Sequence, residues 1–186
     1  MISESWYWRT DLMKFASSLR KRANQKRWTD PSLCRCEQLI MVGFFYVRKL
    51  IDSRKLSRDF ADRQIKLTAY PSTGKHVHLM NVHHDLDEFF DMGTHQQKTA
   101  KIEQIANQVI HSYIFYLVTE ESGPLQGIIV ASDVVRDREL LEFSLSDVIK
   151  IFELAGKGED DKAITLRYDD KRQDYVMRIF RDAKRR

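Results

Sequence analysis

The chain has 186 residues, of which 42% are hydrophobic and 31% are charged. This composition supports a packed core and excludes an intrinsically disordered protein. The formal net charge is +4 and the pI is near 9.0, which is compatible with nucleic acid as a partner but does not specify one. No apolar run approaches the ~20 residues of a membrane-spanning helix, and the first residues lack the pattern of a signal peptide. We therefore expect a cytoplasmic protein with no membrane partner.

The first predicted element is an amphipathic helix from Trp6 to about Lys26, with its apolar residues at helical spacing. A basic run follows its later turns, formed by Arg20, Lys21, Arg22, Lys26 and Arg27. These cations, with Trp28 beside them, are candidates for binding a phosphate backbone. The alternative is a solvated helix end, because cations near a helix C-terminus interact favourably with its dipole.

A second helix is predicted from Asp30, as the cap, to about Lys55, because Asp-Pro is a typical helix start. Its middle, 39–47, is apolar on all sides, so we expect the central buried helix of the fold. Gly43 within it is interpreted as a point of close helix packing. Cys34 and Cys36 also lie on this helix and point in different directions, which favours free thiols in a reducing compartment.

A β-hairpin is predicted next, with 65–69 as one strand, 70–74 as the turn and 77–79 as the second strand. His76 and His78 would then share one face, and His83 follows together with several carboxylates. Two such histidines and a carboxylate are potential ligands for zinc or another divalent metal. The alternative is a hairpin with polar outer residues and a short acidic helix around 86–90. No other cofactor is expected.

A helix is predicted over 94–112, because Thr94 and Gln97 have the spacing of a capping box and apolar residues then recur at helical intervals. Asn107 and His111 lie one turn apart on its polar side. Histidine can transfer a proton near neutral pH, and an amide could orient it or hold a phosphate. Alternatively, His111 simply interacts with the dipole and free carbonyls of the last turn.

The Asn107-x-x-x-His111 pattern resembles the Arg-Asn-x-x-x-His signature of HEPN-superfamily domains, helical proteins that often cut RNA or pair with a nucleotidyltransferase. Asn107 and His111 match this signature, whereas Ala106 stands where the family has arginine. The resemblance implies an RNA-associated protein in which Asn107 and His111 act on RNA, and Ala106 removes the cation used beside the scissile phosphate. We hypothesise that Arg48 supplies that cation. The alternative is an ion pair between Arg48 and Asp52, four residues further on.

Aromatic and β-branched residues predict strands at 113–119, 126–131 and 139–143. A helix capped by Ser144 or Ser146 follows and ends at 156–158, and two more strands are predicted at 163–168 and 175–180. The predicted fold is α+β: an N-terminal helical layer of about three long helices, then an antiparallel sheet from Tyr113 with one further helix. It forms a single domain over 1–180, and 181–186 is a basic tail.

Three functional hypotheses follow from these patterns. The first is an RNA-associated protein with a degenerate HEPN-like helix, whose catalytic candidates are Asn107, His111 and Arg48. The second is a non-catalytic module that binds another protein or a second copy of itself, which predicts an exposed apolar surface. The third is a metal-dependent enzyme that uses the segment 76–91. A helix-plus-sheet fold favours none of them.

Overall fold

A computed structural model describes residues 2–81, 85–119, 123–158, 162–171 and 173–181. Its helices are α1 (Trp6–Arg22), α2 (Asp30–Asp52), α3 (Arg58–Ala61), α4 (Ile102–Ile110) and α5 (Leu145–Lys157), with a 3-10 turn at Leu86–Glu88. Its strands are β1 (Gln64–Pro71), β2 (Gln96–Lys101), β3 (Ser112–Thr119), β4 (Leu125–Ser132), β5 (Glu139–Ser144), β6 (Lys162–Asp169) and β7 (Asp174–Arg181). None of the described helices has the length and apolar character needed to cross a membrane.

Within the described residues, five strands form one antiparallel sheet in the order β2-β1-β5-β4-β3, and β6 pairs with β7 as a separate hairpin. This arrangement confirms the predicted α+β class. β1 lies between β2 and β5, so Ile65 faces Ala100 on one side and Ala69 faces Leu141 on the other. β2 and β3 are therefore the two edges of the sheet.

Helices cover one face of the sheet and carry the main core. α4 and α5 pack on β4, while α1 packs mainly on α5 and α2 mainly on α4. As predicted, α2 is largely buried, and Phe44 on it contacts Phe152 on α5 with ring centroids 5.2 Å apart. Apolar side chains from α1, α2, α4, α5 and the sheet join in one cluster, because each element turns its apolar side inward.

A segment between β1 and β2 covers part of the other face of the sheet. We call this segment the cover; its described residues are 75–81 and 85–92. Val77, Phe89 and Phe90 on the cover are buried against a second apolar cluster that includes Ile114 and Leu140. The 3-10 turn at Leu86–Glu88 confirms the predicted short acidic helix. The cover lies over the end of the sheet where β3 starts and β4 stops.

Two predictions for the middle of the chain were wrong. The helix over 94–112 begins only at Ile102, because Gln96–Lys101 pair with β1 as a strand. Residues 77–79 form no strand, because β1 takes β2 and β5 as its neighbours instead. The sheet consequently includes two strands that precede Tyr113.

The remaining predicted elements are present, with shifted ends. α1 stops at Arg22, and α2 is capped by Thr29, whose backbone N–H donates to Ser32 Oγ over 3.0 Å. α5 is capped by Ser144, whose hydroxyl accepts from the Asp147 N–H over 3.1 Å. The strand preferred over a helix at 175–180 is confirmed by its pairing with β6.

Candidate functional site

Asn107 and His111 lie at the junction of α4 and β3. α4 buries Ile105, Ala106 and Val109, whereas Asn107 is half-buried and His111 is exposed. His111 ends the helix, and its backbone N–H donates to the Asn107 carbonyl over 3.1 Å. Ala106 has no exposed surface, so the position that matches the HEPN arginine points into the core. The observed contacts of His111 are those of a helix-ending residue.

Arg48 is held by carboxylates. Its guanidinium contacts Glu103 on α4 at 2.7 Å and Asp52 on its own helix at 3.0 Å. The predicted pair with Asp52 is confirmed. Arg48 therefore reaches α4 at Glu103, in the first turn of that helix, and no described hydrogen bond or ion pair joins it to Asn107 or His111.

The Arg48 contacts belong to a longer chain of alternating charges that ties α2, α3 and α4 together. Arg58 contacts the second Glu103 oxygen at 2.9 Å and Asp62 at 2.9 Å, and Lys101 contacts Asp62 at 2.7 Å. The hydrogen bond from Lys101, reinforced by Arg58, holds the pKa of Asp62 below its usual value. We call this set the ion chain; its members are Asp52, Arg48, Glu103, Arg58, Asp62 and Lys101. Its three positive and three negative charges balance, and its contacts join α2, α3 and α4.

The histidines of the cover make contacts of their own. His76 Nδ1 lies 2.8 Å from one Asp137 oxygen, and the other oxygen accepts the Val77 N–H over 2.9 Å. The Val77 hydrogen bond, with a contribution from His76, lowers the pKa of Asp137. His78 Nδ1 accepts the Met80 N–H over 3.2 Å. The two contacts to Asp137 attach the cover to the turn before β5, whereas the His78 contact lies within the cover.

Among the residues that the structure describes, no group of three His, Cys, Asp or Glu side chains is arranged to hold a metal ion. His76 and His78 do not share a strand face, because this segment is not a strand. His83, the third proposed ligand, lies outside the described residues. Cys34 is exposed and Cys36 is buried, and burial raises the pKa of the Cys36 thiol.

The basic run lies at the end of α1 and in the turn to α2. Lys21, Lys26 and Arg27 are exposed, and in the described part of the chain their side chains form no ion pair. Arg20 pairs with Glu153 on α5, and Arg22 is half-buried. Three of the five predicted cations are thus free to contact a ligand.

Trp28, the aromatic residue predicted to assist the basic run, has a structural role. Its indole N–H donates to the Gly123 carbonyl over 3.0 Å, and its ring packs against the main core. It is therefore held too firmly to stack on a base. The same bond attaches the turn between α1 and α2 to the sheet where β4 begins.

A groove opens beside the basic run, with a volume of about 600 Å³. We call it the α5 groove; its lining includes Arg20, Leu125, Gln126, Ser146, Ile149 and Lys150. It combines two cations with polar groups; Arg20 is paired with Glu153, which also lines the groove, and the apolar Leu125 and Ile149 are largely buried beneath it. The sequence patterns missed it, because its walls come from α1, β4 and α5, which are far apart along the chain.

The basic run and His111 lie at opposite ends of the sheet. The basic run adjoins the start of β4 through Trp28 and the α5 groove, whereas the backbone carbonyl of His111 accepts the Asp133 N–H just past the end of β4. The strand between them, Leu125–Ser132, spans about 23 Å at roughly 3.3 Å per residue. A single copy of the chain therefore does not bring the two together in one cleft.

One polar pair on the covered face was not predicted. Tyr70 on β1 donates its hydroxyl hydrogen bond to the Glu142 carboxylate on β5. Burial, with this bond, raises the pKa of Tyr70 to about 12. The phenol therefore remains a neutral donor that is already engaged. Only the β1–β5 register brings these residues together, so no local pattern could have revealed the pair.

A scan against protein-family models finds no match to this chain, and comparisons with curated proteins and with solved structures find no significant match.

Proposed function

We propose that this chain binds single-stranded RNA through the basic run and the α5 groove, and that it does not cut RNA at Asn107 and His111. The observation that carries the proposal is a set of exposed cations beside a groove, Lys21, Lys26 and Arg27, which form no ion pair with any residue that the structure describes. Clustered cations on one face are the electrostatic requirement for holding a phosphate backbone.

The α5 groove adds a pocket for one nucleotide, which the cations of the basic run alone do not supply. Its volume of about 600 Å³ lies within the usual range for ligand pockets, roughly 300–1,000 Å³. Ala23 contributes a half-buried apolar side chain to the lining, and Lys150 adds an exposed cation. A phosphate backbone that follows the basic run could therefore place one nucleotide in the groove, which favours a single strand over a duplex.

Binding without cleavage follows from the surroundings of His111. Arg48 is occupied by carboxylates, Ala106 is buried, and the basic run lies at the opposite end of β4, a strand of about 23 Å. RNA cleavage requires a cation next to the reacting phosphate to stabilise the charge that develops there. Arg136 lies on the turn whose Asp133 N–H bonds the His111 carbonyl, but its guanidinium pairs with the Asp133 carboxylate at 3.1 Å and lies over the Tyr113 ring. No described hydrogen bond or ion pair joins a cation to His111.

The test measures binding of a mixed single-stranded RNA pool at 50 and 200 mM salt. For three phosphate contacts, the logarithm of the binding constant should fall with the logarithm of the salt concentration with a slope of about −2. This slope corresponds to roughly 20-fold weaker binding at 200 mM than at 50 mM salt. Lys21→Ala/Lys26→Ala/Arg27→Ala should bind far more weakly at low salt and lose most of this dependence. Lys66→Ala/Lys75→Ala/Arg138→Ala is the matched control, because it removes the same residue types from exposed positions on the sheet and in its loops.

Two results would contradict the proposal. Equal loss of binding in both triple variants would show that the effect is one of net charge alone. Cleavage of the pool that is abolished by His111→Ala or Asn107→Ala, in a folded protein, would establish an active site at α4.

A further inference from the structure

The two edges of the five-stranded sheet differ in chemistry. β2 is polar, with Lys98 and Lys101 on it, and both lysines form ion pairs with neighbouring elements. Charged residues, lysine above all, are the usual protection of an exposed edge against pairing with another strand. The β2 edge is therefore blocked.

β3, the opposite edge, has no such protection. From Tyr113 to Val118 it consists only of aromatic and aliphatic residues, and the whole strand contains no charge and no proline. Apart from Ile114, these apolar side chains are half-buried, although they belong to a sheet with a core on each face. In the described part of the chain, no strand pairs with the outer side of β3.

We propose that β3 pairs antiparallel with β3 of a second copy of this chain, which would join the two sheets into one of ten strands. The inference does not depend on RNA binding, because the basic run lies outside the strand. The outer N–H and C=O groups of an edge strand are the ones that form main-chain hydrogen bonds in such pairing.

Pairing of β3 with itself is favoured because two-fold symmetry places apolar residues opposite one another. A two-fold axis normal to the sheet keeps the helices of both copies on one face of the joined sheet. Each odd-numbered residue of β3 then pairs with an odd-numbered residue of the other copy, and each even-numbered residue with an even-numbered one. With the axis at Tyr116, Phe115 faces Leu117 and Ile114 faces Val118. With the axis at Phe115, Tyr113 faces Leu117 and Ile114 faces Tyr116. All these pairs are apolar, and such cross-strand pairs stabilise a sheet.

The distribution of charge also favours a second copy. The cover end of the sheet carries exposed carboxylates at Asp85, Asp87 and Glu88, whereas the other end carries the basic run. Antiparallel pairing brings the basic end of each copy to the same end of the joined sheet as the acidic cover of the other. The basic run of one copy and these three carboxylates of the other are therefore opposite in charge in the proposed dimer.

The test is oxidative cross-linking of single cysteines, in a Cys34→Ser background that removes the exposed native thiol. Residues on the axis of an antiparallel pair have Cα atoms about 4.5 or 5.5 Å apart, which suits a disulfide. We expect Tyr116→Cys or Phe115→Cys to give a covalent dimer, according to the position of the axis. Thr99→Cys on exposed β2 is the control and should remain monomeric.

Sedimentation of the unmodified chain supplies a second measurement. We expect a mass of twice 22.0 kDa, and a monomer for Val118→Lys, which gives β3 the kind of protection that β2 has. Circular dichroism and thermal unfolding should show that this variant remains folded. A wild-type chain that stays monomeric at all concentrations, equal cross-linking through Thr99→Cys, or a monomer that instead binds an apolar peptide strand would each overturn the proposal.

Discussion

The substitution Gly43→Ala tests how closely the central helix α2 is packed. An alanine in the middle of a helix is ordinarily better than glycine by about 1 kcal/mol. Here, however, the new Cβ would lie 2.2 Å from Cζ and 2.4 Å from Cε2 of Phe152. Ordinary carbon–carbon contacts are about 3.5–4.0 Å, so one partner would have to move by more than about 1 Å.

The cost of that movement exceeds the gain in helix propensity. Phe152 is fully buried and packs edge-on against Phe44, so its ring has no free space to enter. Overpacking of a core costs about 1–3 kcal/mol, and a displacement this large belongs at the upper end. We therefore expect Gly43→Ala to lower the free energy of unfolding by about 2 kcal/mol (3 minus 1).

The measurement is urea unfolding followed by circular dichroism. With a slope of roughly 2 kcal/mol per molar urea, the midpoint should fall by about 1 M. The double variant Gly43→Ala/Phe152→Leu should be less destabilised than the sum of the two single variants, because the smaller side chain removes the clash. Stabilisation by Gly43→Ala, or strict additivity with Phe152→Leu, would refute the explanation.

Three further substitutions test polar contacts. Glu103→Gln removes the carboxylate shared by two arginines and should destabilise the fold by about 1 kcal/mol in urea unfolding, with a smaller effect at high salt, whereas exposed Glu37→Gln should be neutral. The folded pKa of Asp62 is lowered, so its contribution to stability is present above the unfolded pKa of about 4 and is lost as pH falls through the folded value; Asp62→Asn should remove that acid dependence from thermal melts. The folded pKa of Tyr70 is raised to about 12, so the stabilisation from its bond to Glu142 is present below the unfolded value of about 10 and is lost as pH rises towards 12. Tyr70→Phe should remove a tyrosine step near pH 12 from an ultraviolet titration.

The sequence was sufficient where neighbouring residues decide the structure. Ser144 caps α5 through the Asp147 N–H, three residues away, and β3 and β4 are adjacent along the chain and pair directly. The closely packed Gly43 was also predicted, because an unfavourable residue in an apolar helix requires a packing reason. Local propensity and tertiary packing agree at these positions.

The errors come from contacts between distant residues. Thr94 and Gln97 have the spacing of a capping box, but Gln97 donates to Thr68 on β1 over 3.1 Å. The Thr94 N–H instead donates to Asp91 Oδ1 over 3.0 Å, which makes a turn before β2. Strand pairing thus overrides the local helix signal. The ion pair between Arg48 and Glu103 is another contact between distant residues. The sequence identified Arg48 as a candidate cation, but it did not reveal that Glu103 on α4 would face it.

The pairing of β1 with β5 also affects the order in which the fold can assemble. Pro71 faces Glu139, so 68 residues (139 minus 71) must be synthesised before this side of β1 finds its partner. At about 5–20 residues per second, the ribosome needs roughly 3–14 s for that stretch. During this time β1 has an open side and α1 lacks α5, the helix on which it mainly packs. The nascent chain therefore passes through a period in which it exposes the apolar surface that the finished fold buries.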